Sequence, residues 1–157
     1  MDTSITHMHK TGYYTHPECR RHEMGAGHPE CPERLDAIQE RLLMSGLDIG
    51  LTAIEAPAAS FDDLALAHDA DYIDHLRLMS HRLIEDQSAT GPAYTYLDPD
   101  TAMNSHTWEA TLHSAGAAIA ATDAVINGEL ANAFCAVRTP GHHAMRHKAM
   151  GFCYFNN

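Results

Sequence analysis

Apolar side chains recur at helical spacing in several stretches of the chain, and each stretch is bounded by residues that start or stop helices. The first stretch contains Leu35, Ile38 and Leu42, with Pro32 at its first turn and Gly46 just after it. Pro fits the first turn because no intrahelical N–H bond is lost there, and Gly is common just past the last turn. The pattern predicts a helix over residues 32–44.

Two further helices are predicted in the middle of the chain. Ser60 followed three residues later by Asp63 has the spacing of a capping box, and it predicts a short helix through residue 67. Asp69 can cap the next helix, in which one face collects Tyr72, Ile73, Leu76 and Leu83. Residues 88–99 are rich in turn formers, so a loop is expected there.

The longest helix is predicted over residues 105–126, with Gly128 as its stop signal. Its expected buried side consists of Trp108, Leu112, Ala115, Ile119 and Ile126. Many of its other residues are Ala or Gly, so it can lie close against a sheet.

Short strands are expected at residues 12–15, 51–55 and 133–137. The last of these is nearly all apolar, which is typical of a strand covered on both faces. Helices alternating with short strands predict an α/β fold with a mainly parallel sheet. No repeat or flexible linker divides residues 1–157, so they are expected to form one continuous unit.

The charge balance narrows the classes of partner. The 157 residues contain 10 Lys+Arg and 21 Asp+Glu, giving a formal net charge of -11 with His neutral. So few basic residues argue against direct nucleic-acid binding. No apolar run approaches the roughly 18 residues of a membrane-spanning helix, and the first residues lack the order of a secretory signal. A cytoplasmic protein without membrane association is therefore expected.

Histidine is over-represented, with 13 residues, and two of them are adjacent. His142 and His143 follow the strand predicted at 133–137 and a Pro140-Gly141 turn, and functional groups gather beyond the carboxyl ends of parallel strands. Imidazole titrates near neutral pH, so one ring can accept a proton while the other donates a hydrogen bond. The pair predicts acid–base chemistry; a polar loop with two solvated histidines is the alternative.

Four ordered blocks of the sequence resemble the histone deacetylase superfamily, which includes acetylpolyamine amidohydrolases and bacterial deacetylase-like amidohydrolases. These blocks are GHPECPERL at 27–35, HDADYIDHL at 68–76, residues 100–116, and RTPGHHA at 138–144 with GFCYFNN at 151–157. They are distributed over residues 27–157 and are most similar to the class II and bacterial branch. One departure is Thr139, where Pro is usual in the family.

The resemblance implies zinc-dependent hydrolysis of an acetylated amine, either acetyl-lysine of a protein or an acetylpolyamine. It makes His143 the general base and His142 its neighbour that stabilises the tetrahedral intermediate. Gly151 and Phe152 correspond to one wall of the substrate tunnel, and Asp100 or Asp98 to an acidic residue at its rim. The implied architecture is the three-layer arginase/deacetylase-like α/β fold, represented here by its N-terminal half.

The family's zinc ligands are expected beyond Asn157, so the resemblance assigns no metal ligand within residues 1–157. We therefore expect these residues to be the N-terminal portion of a catalytic domain that is inactive alone. A non-catalytic remnant or partner-binding half-domain is the alternative, and its open sheet edge would favour a homo-oligomer. A separate question is whether Cys19, His22, His28 and Cys31 hold a structural metal, since their donor types and spacing allow it.

Overall fold

The computed structural model describes residues 10–86 and 93–156. The regular elements follow in chain order as β1 (Thr11–Thr15), α1 (Glu33–Ser45), β2 (Leu51–Glu55), α2 (Phe61–Ala65), α3 (Ala70–Glu85), β3 (Thr95–Asp98), β4 (Thr101–Met103), α4 (Thr107–Ile126) and β5 (Asn132–Cys135). Short 3₁₀ helices lie at Pro17–Arg20 and Leu47–Gly50. Within the described residues no helix is both long and apolar enough to cross a membrane.

A parallel sheet in the order β2-β1-β5 forms the centre of the fold. Tyr13 of β1 is paired with Ala53 on one side and with Phe134 on the other. This arrangement confirms the predicted α/β class with a mainly parallel sheet. Because all three strands run in the same direction, the loops that follow them emerge at one edge of the sheet.

The predicted helices are confirmed with small shifts of their ends. Gly46 adopts the left-handed conformation just past α1, with φ of 68°, which a residue without Cβ adopts at little cost. The capping box at α2 is complete, because the Ser60 hydroxyl accepts from the Asp63 N–H (3.2 Å) and the Asp63 carboxylate accepts from the Ser60 N–H (2.8 Å). Aspartate therefore serves in place of the usual glutamate.

The loop predicted at 88–99 was wrong for its second half, and its first residues, 88–92, lie outside the described part of the chain. Thr95–Asp98 forms β3, which pairs antiparallel with the buried strand β4. The turn formers Asp98-Pro99-Asp100 connect the end of β3 to the start of β4, so they belong to a hairpin rather than to an extended loop.

The predicted buried face of α4 was also wrong in part. Ile119 and Ile126 are exposed by 38% and 76%, whereas small residues fill the buried side: Ala110, Thr111, Ser114, Ala115, Gly116, Ala117, Ala121 and Ala124. At Gly116 the reason is close approach to the chain before α2. A Cβ added at Gly116 would lie 2.0 Å from the Pro57 carbonyl oxygen.

The described residues do not cover strand β5 on both faces, contrary to the prediction from its apolar run. It lies at the edge of the sheet, and Phe134 is 50% exposed. The neighbouring face of α1 is apolar as well, so Phe134, Ile38 and Leu42 line a shared hydrophobic groove.

The largest buried cluster lies among α2, α3, α4 and the segment of residues 149–155. That segment contributes Ala149, Tyr154 and Phe155, each no more than 3% exposed. The Tyr72 hydroxyl donates to the Tyr154 carbonyl oxygen at 2.6 Å, and the Tyr154 hydroxyl donates to the carbonyl oxygen of Ala102. A stretch without helix or strand is thereby held inside the core.

Candidate active site

The two adjacent histidines lie in a turn that follows β5, at the edge where the parallel strands end. The Ala144 N–H donates to the Gly141 carbonyl oxygen (3.0 Å) and closes this turn. The ring centroids of His142 and His143 are 4.2 Å apart, with 56° between the ring planes, and both side chains are exposed. An open cavity of about 420 Å³ borders His142.

Gly151 lies directly against His143. A Cβ added at Gly151 would come within 3.0 Å of the Cβ, Cγ and Cδ2 atoms of that histidine, and the backbone there has φ of 59°. Phe152 also has a positive φ, of 68°, and its N–H donates to the Thr101 hydroxyl at 3.0 Å. The first turn of the segment 151–155 is therefore shaped around the histidine ring and tied to β4.

His28 connects Phe152 to Asp100. The rings of His28 and Phe152 meet edge to face at 4.7 Å. The Glu30 N–H donates to His28 Nδ1 (3.1 Å), so Nε2 carries the proton and donates to the Asp100 carbonyl oxygen (3.2 Å). The five residues that the sequence selects, His142, His143, Gly151, Phe152 and Asp100, thus lie in one region, with Asp100 exposed at its border.

A buried ion pair that the sequence reasoning missed fixes the chain between β5 and the histidine turn. The Arg138 side chain is fully buried and binds Glu30 through two bonds of 2.7 Å. Its remaining N–H groups donate to the carbonyl oxygens of Cys19 (3.0 Å), His22 (2.7 Å) and Glu30 (3.2 Å). All five N–H groups of the guanidinium are therefore used. The loop after β1 and the chain after β5 are joined at this point.

His22 is buried beside that ion pair. The Thr107 hydroxyl donates to Asn104 Oδ1 and accepts from the Asn104 N–H, so the 2.8 Å contact with His22 Nδ1 is one in which Nδ1 donates. Nε2 is then the unprotonated atom, and it has no hydrogen-bond partner among the described residues. Burial, reinforced by the Arg138 charge, lowers the pKa of His22 to about 3. The imidazole is neutral at physiological pH.

The structure gives Cys19, His22, His28 and Cys31 different surroundings, and Cys31 is a partly exposed free thiol. Cys19 is buried, with its thiol directed at the Ala110 carbonyl oxygen (3.8 Å), while His22 and His28 are bound to Thr107 and Asp100. In residues 10–86 and 93–156, no group of three or more His, Cys, Asp or Glu is arranged to hold a metal ion. These residues therefore do not fit a zinc site.

The α/β fold and the histidine turn at the carboxyl edge of its sheet define a class of protein, and the comparison with family sequences identifies it. Residues 28–157 match the histone deacetylase domain, and the chain belongs to that family. A solved structure of the HDA15 HD domain superposes with a TM-score of 0.83 and 30% identity, covering 95% of this chain and 40% of that one. The fold is therefore the arginase/deacetylase-like α/β fold.

Its individual relatives are deacetylases of more than one kind. The chain is 39% identical to a histone deacetylase-like amidohydrolase of Pseudomonas aeruginosa, covering 84% of this chain and 32% of that protein. It is 35% identical to a probable deacetylase of Archaeoglobus fulgidus, covering 94% and 38%. It is 37% identical to the polyamine deacetylase HDAC10 of Mus musculus, covering 82% and 19%. The chain thus spans well under half the length of these relatives.

Proposed function

We propose that residues 1–157 are the N-terminal portion of a catalytic domain that hydrolyses an acetylated amine, either acetyl-lysine of a protein or an acetylpolyamine. The observation that carries the proposal is the His142-His143 turn, packed by Gly151 at the carboxyl edge of the sheet in a chain of the histone deacetylase family. The names of the relatives support both kinds of substrate.

In this proposal His143 is the general base. It takes a proton from the water that attacks the amide carbonyl, and it returns a proton to the amine nitrogen as the C–N bond breaks, releasing acetate and the free amine. His142, whose ring lies beside that of His143, donates a hydrogen bond to the oxyanion of the tetrahedral intermediate. The adjacent Phe152 ring offers an apolar face to the methylene chain of the substrate, and the Asp100 carboxylate attracts the remaining ammonium group when the substrate is an acetylpolyamine.

Zinc dependence belongs to the proposal through the family resemblance alone. Within residues 10–86 and 93–156, no three His, Cys, Asp or Glu side chains are arranged to hold a metal ion, so the proposal takes no zinc ligand from these residues. The roles proposed for His142 and His143 are hydrogen bonding and proton transfer by their own ring nitrogen atoms. These roles require no particular metal geometry.

Hydrolysis of an acetyl-lysine peptide and of N-acetylputrescine tests the proposal. The assay uses the longest translation product that contains residues 1–157, supplied with zinc, next to the 157-residue chain. We expect activity only in the longer product, and His143→Ala should lower its kcat by about 100-fold or more. The matched control is His81→Ala, which removes an exposed imidazole of α3. Full activity in the His143→Ala enzyme would refute the general-base role.

A second candidate is a non-catalytic module that associates with another copy of itself. The exposed β5 edge, with Phe134 half-exposed beside Ile38 and Leu42, favours it, because unpaired strand edges with apolar side chains template further pairing. Sedimentation of the 157-residue chain over a range of concentrations distinguishes the two. A dimer that Phe134→Lys dissociates would support this module, whereas a monomer at all concentrations would contradict it.

A further inference from the structure

A buried histidine outside the tandem pair, His68, lies between α2 and α3 and has no part in the proposed chemistry. Its side chain is 2% exposed, and its ring packs between those of Tyr72 (5.3 Å) and Phe155 (5.4 Å). A polar ring in an apolar cluster costs free energy unless its nitrogen atoms are used. Among the described residues Nε2 has a hydrogen-bond partner and Nδ1 has none, so the Nε2 bond is the one that indicates a role.

The hydrogen bonding of His68 fixes its tautomer. The backbone N–H of Asn156 donates to His68 Nε2 at 2.8 Å, and an N–H can only donate. Nε2 is thus an acceptor, and the ring proton is on Nδ1. Burial lowers the pKa of His68, against a smaller opposing effect of the backbone at Arg146 and Met145, so the neutral form persists.

Asn156 and Asp69 each donate a hydrogen bond to a backbone carbonyl group at or just after the end of the histidine turn. Asn156 uses its side-chain amide to donate to the carbonyl oxygen of Ala144, the residue after His143, at 3.2 Å. Asp69, the residue after His68, donates its backbone N–H to the Arg146 carbonyl oxygen at 3.0 Å. The start of α3 is therefore connected to the turn at two carbonyl groups, one of them through His68 and Asn156.

We infer that His68 is a positioning residue for the tandem histidines: its unprotonated Nε2 orients Asn156, and Asn156 holds the carbonyl of Ala144 so that His143 keeps its place against Gly151. The catalytic part of this inference rests on the proposed deacetylase function, while the geometric part does not. His68 touches neither histidine and acts on them through Asn156.

Two substitutions separate the hydrogen bond from the volume of the ring. His68→Phe keeps an aromatic ring but has no acceptor, whereas in His68→Gln the side-chain Oε1 can replace Nε2 as the acceptor for the Asn156 N–H. His81→Phe, on the exposed side of α3, is the matched control. Hydrogen exchange of the Asn156 amide and the ring resonances of His142 and His143 are measured by NMR on the chain itself.

We expect His68→Phe to accelerate Asn156 exchange about fivefold or more, the effect of losing one hydrogen bond, and to shift the ring resonances of both tandem histidines. His68→Gln should return both readouts toward the wild-type values, and His81→Phe should change neither. If His68→Phe unfolds the chain, His68→Gln decides alone: wild-type exchange and resonances support the inference, and altered ones in a folded variant overturn it.

A folded His68→Phe variant with unchanged Asn156 exchange and unchanged resonances would overturn the inference. A folded His68→Phe variant with altered readouts that His68→Gln fails to restore would overturn it as well. These measurements require no catalysis, so their failure is distinct from failure of the proposed function. In the longer translation product, His68→Phe should lower kcat with little change in KM, and His68→Gln should recover it.

Discussion

Glu30→Gln is the change that tests most directly how the histidine turn is supported. In the wild-type chain the Glu30 carboxylate is 8% exposed and receives two 2.7 Å bonds from the fully buried Arg138 guanidinium. The amide replaces one accepting oxygen with an NH₂ group that faces an arginine donor. It also leaves the guanidinium charge buried without a counter-ion.

Removing one partner of a buried ion pair costs about 3–5 kcal/mol. Gln retains one acceptor, and three backbone carbonyl groups still bind Arg138, so we expect a loss near the lower end, about 3 kcal/mol. For a chain of this size that corresponds to a decrease in Tm of roughly 6–12 °C. Trp108, the single tryptophan, packs on Phe155 at 5.8 Å, so its fluorescence reports urea unfolding.

The matched control is Asp74→Asn, which breaks the exposed Asp74–Arg77 pair of α3 and should cost less than about 1 kcal/mol. The double variant Glu30→Met/Arg138→Met removes both charges and should recover part of the loss. Recovery is incomplete because the Cys19 and His22 carbonyl oxygens lose their donor. A Glu30→Gln chain as stable as the Asp74→Asn chain would refute the reasoning.

Three further predictions concern other positions. Gly116→Ala places a Cβ 2.0 Å from a carbonyl oxygen of the loop before α2, so it should lower the free energy of unfolding in urea by about 1–3 kcal/mol. Gly50→Ala is the control, because an added Cβ there meets nothing within 4 Å, and it should leave stability within about 1 kcal/mol of wild type. Equal effects of the two substitutions would contradict the packing argument. The pKa of His22 is about 3 in the folded chain and near 6.5 in the unfolded chain, so the unfolded chain binds the extra proton and stability is lost as pH falls from 6.5 toward 3. Urea unfolding should show a loss of roughly 2–3 kcal/mol between pH 7 and pH 4.5 in wild type and a clearly smaller loss in His22→Asn; equal losses would contradict the argument. Gly151→Ala adds a Cβ 3.0 Å from His143 at a residue with positive φ. It should shift the NMR resonances of the His143 ring and lower the free energy of unfolding by about 1–2 kcal/mol. Unchanged resonances would show that the contact is not formed.

The sequence predicted the elements whose signals are local. The caps and periodicity around α1, α2 and α3 involve residues within a few positions of each other, and the structure has these helices within a residue or two. The hairpin of β3 and β4 was missed because strand pairing depends on a partner segment, and Asp98-Pro99-Asp100 is equally typical of a loop. The buried face of α4 was predicted from its few large apolar residues. Because most of the helix is Ala and other small residues, the small residues form the buried face, and part of the predicted face is exposed.

The sequence predicted which residues form the candidate site, but not which residues hold them in place. His142 and His143 were selected by their adjacency and their place after a strand. The residues that hold them, Arg138, Glu30 and His68, act through contacts with residues far away in the sequence, and no periodicity reports such contacts. The available signal was that Glu30 and His68 each lie in a block resembling the family, without an assigned role.

Residues 149–155 fill the largest buried cluster, and they are synthesised well after α3, against which they pack. A nascent chain that ends before these residues can form α3, but Tyr72 then lacks its contacts with Tyr154 and Phe155. Translation at roughly 5–20 residues per second adds them several seconds after α3 has been made. During that interval the apolar face of α3 is uncovered, so the order of synthesis sets how long the nascent chain is exposed to aggregation.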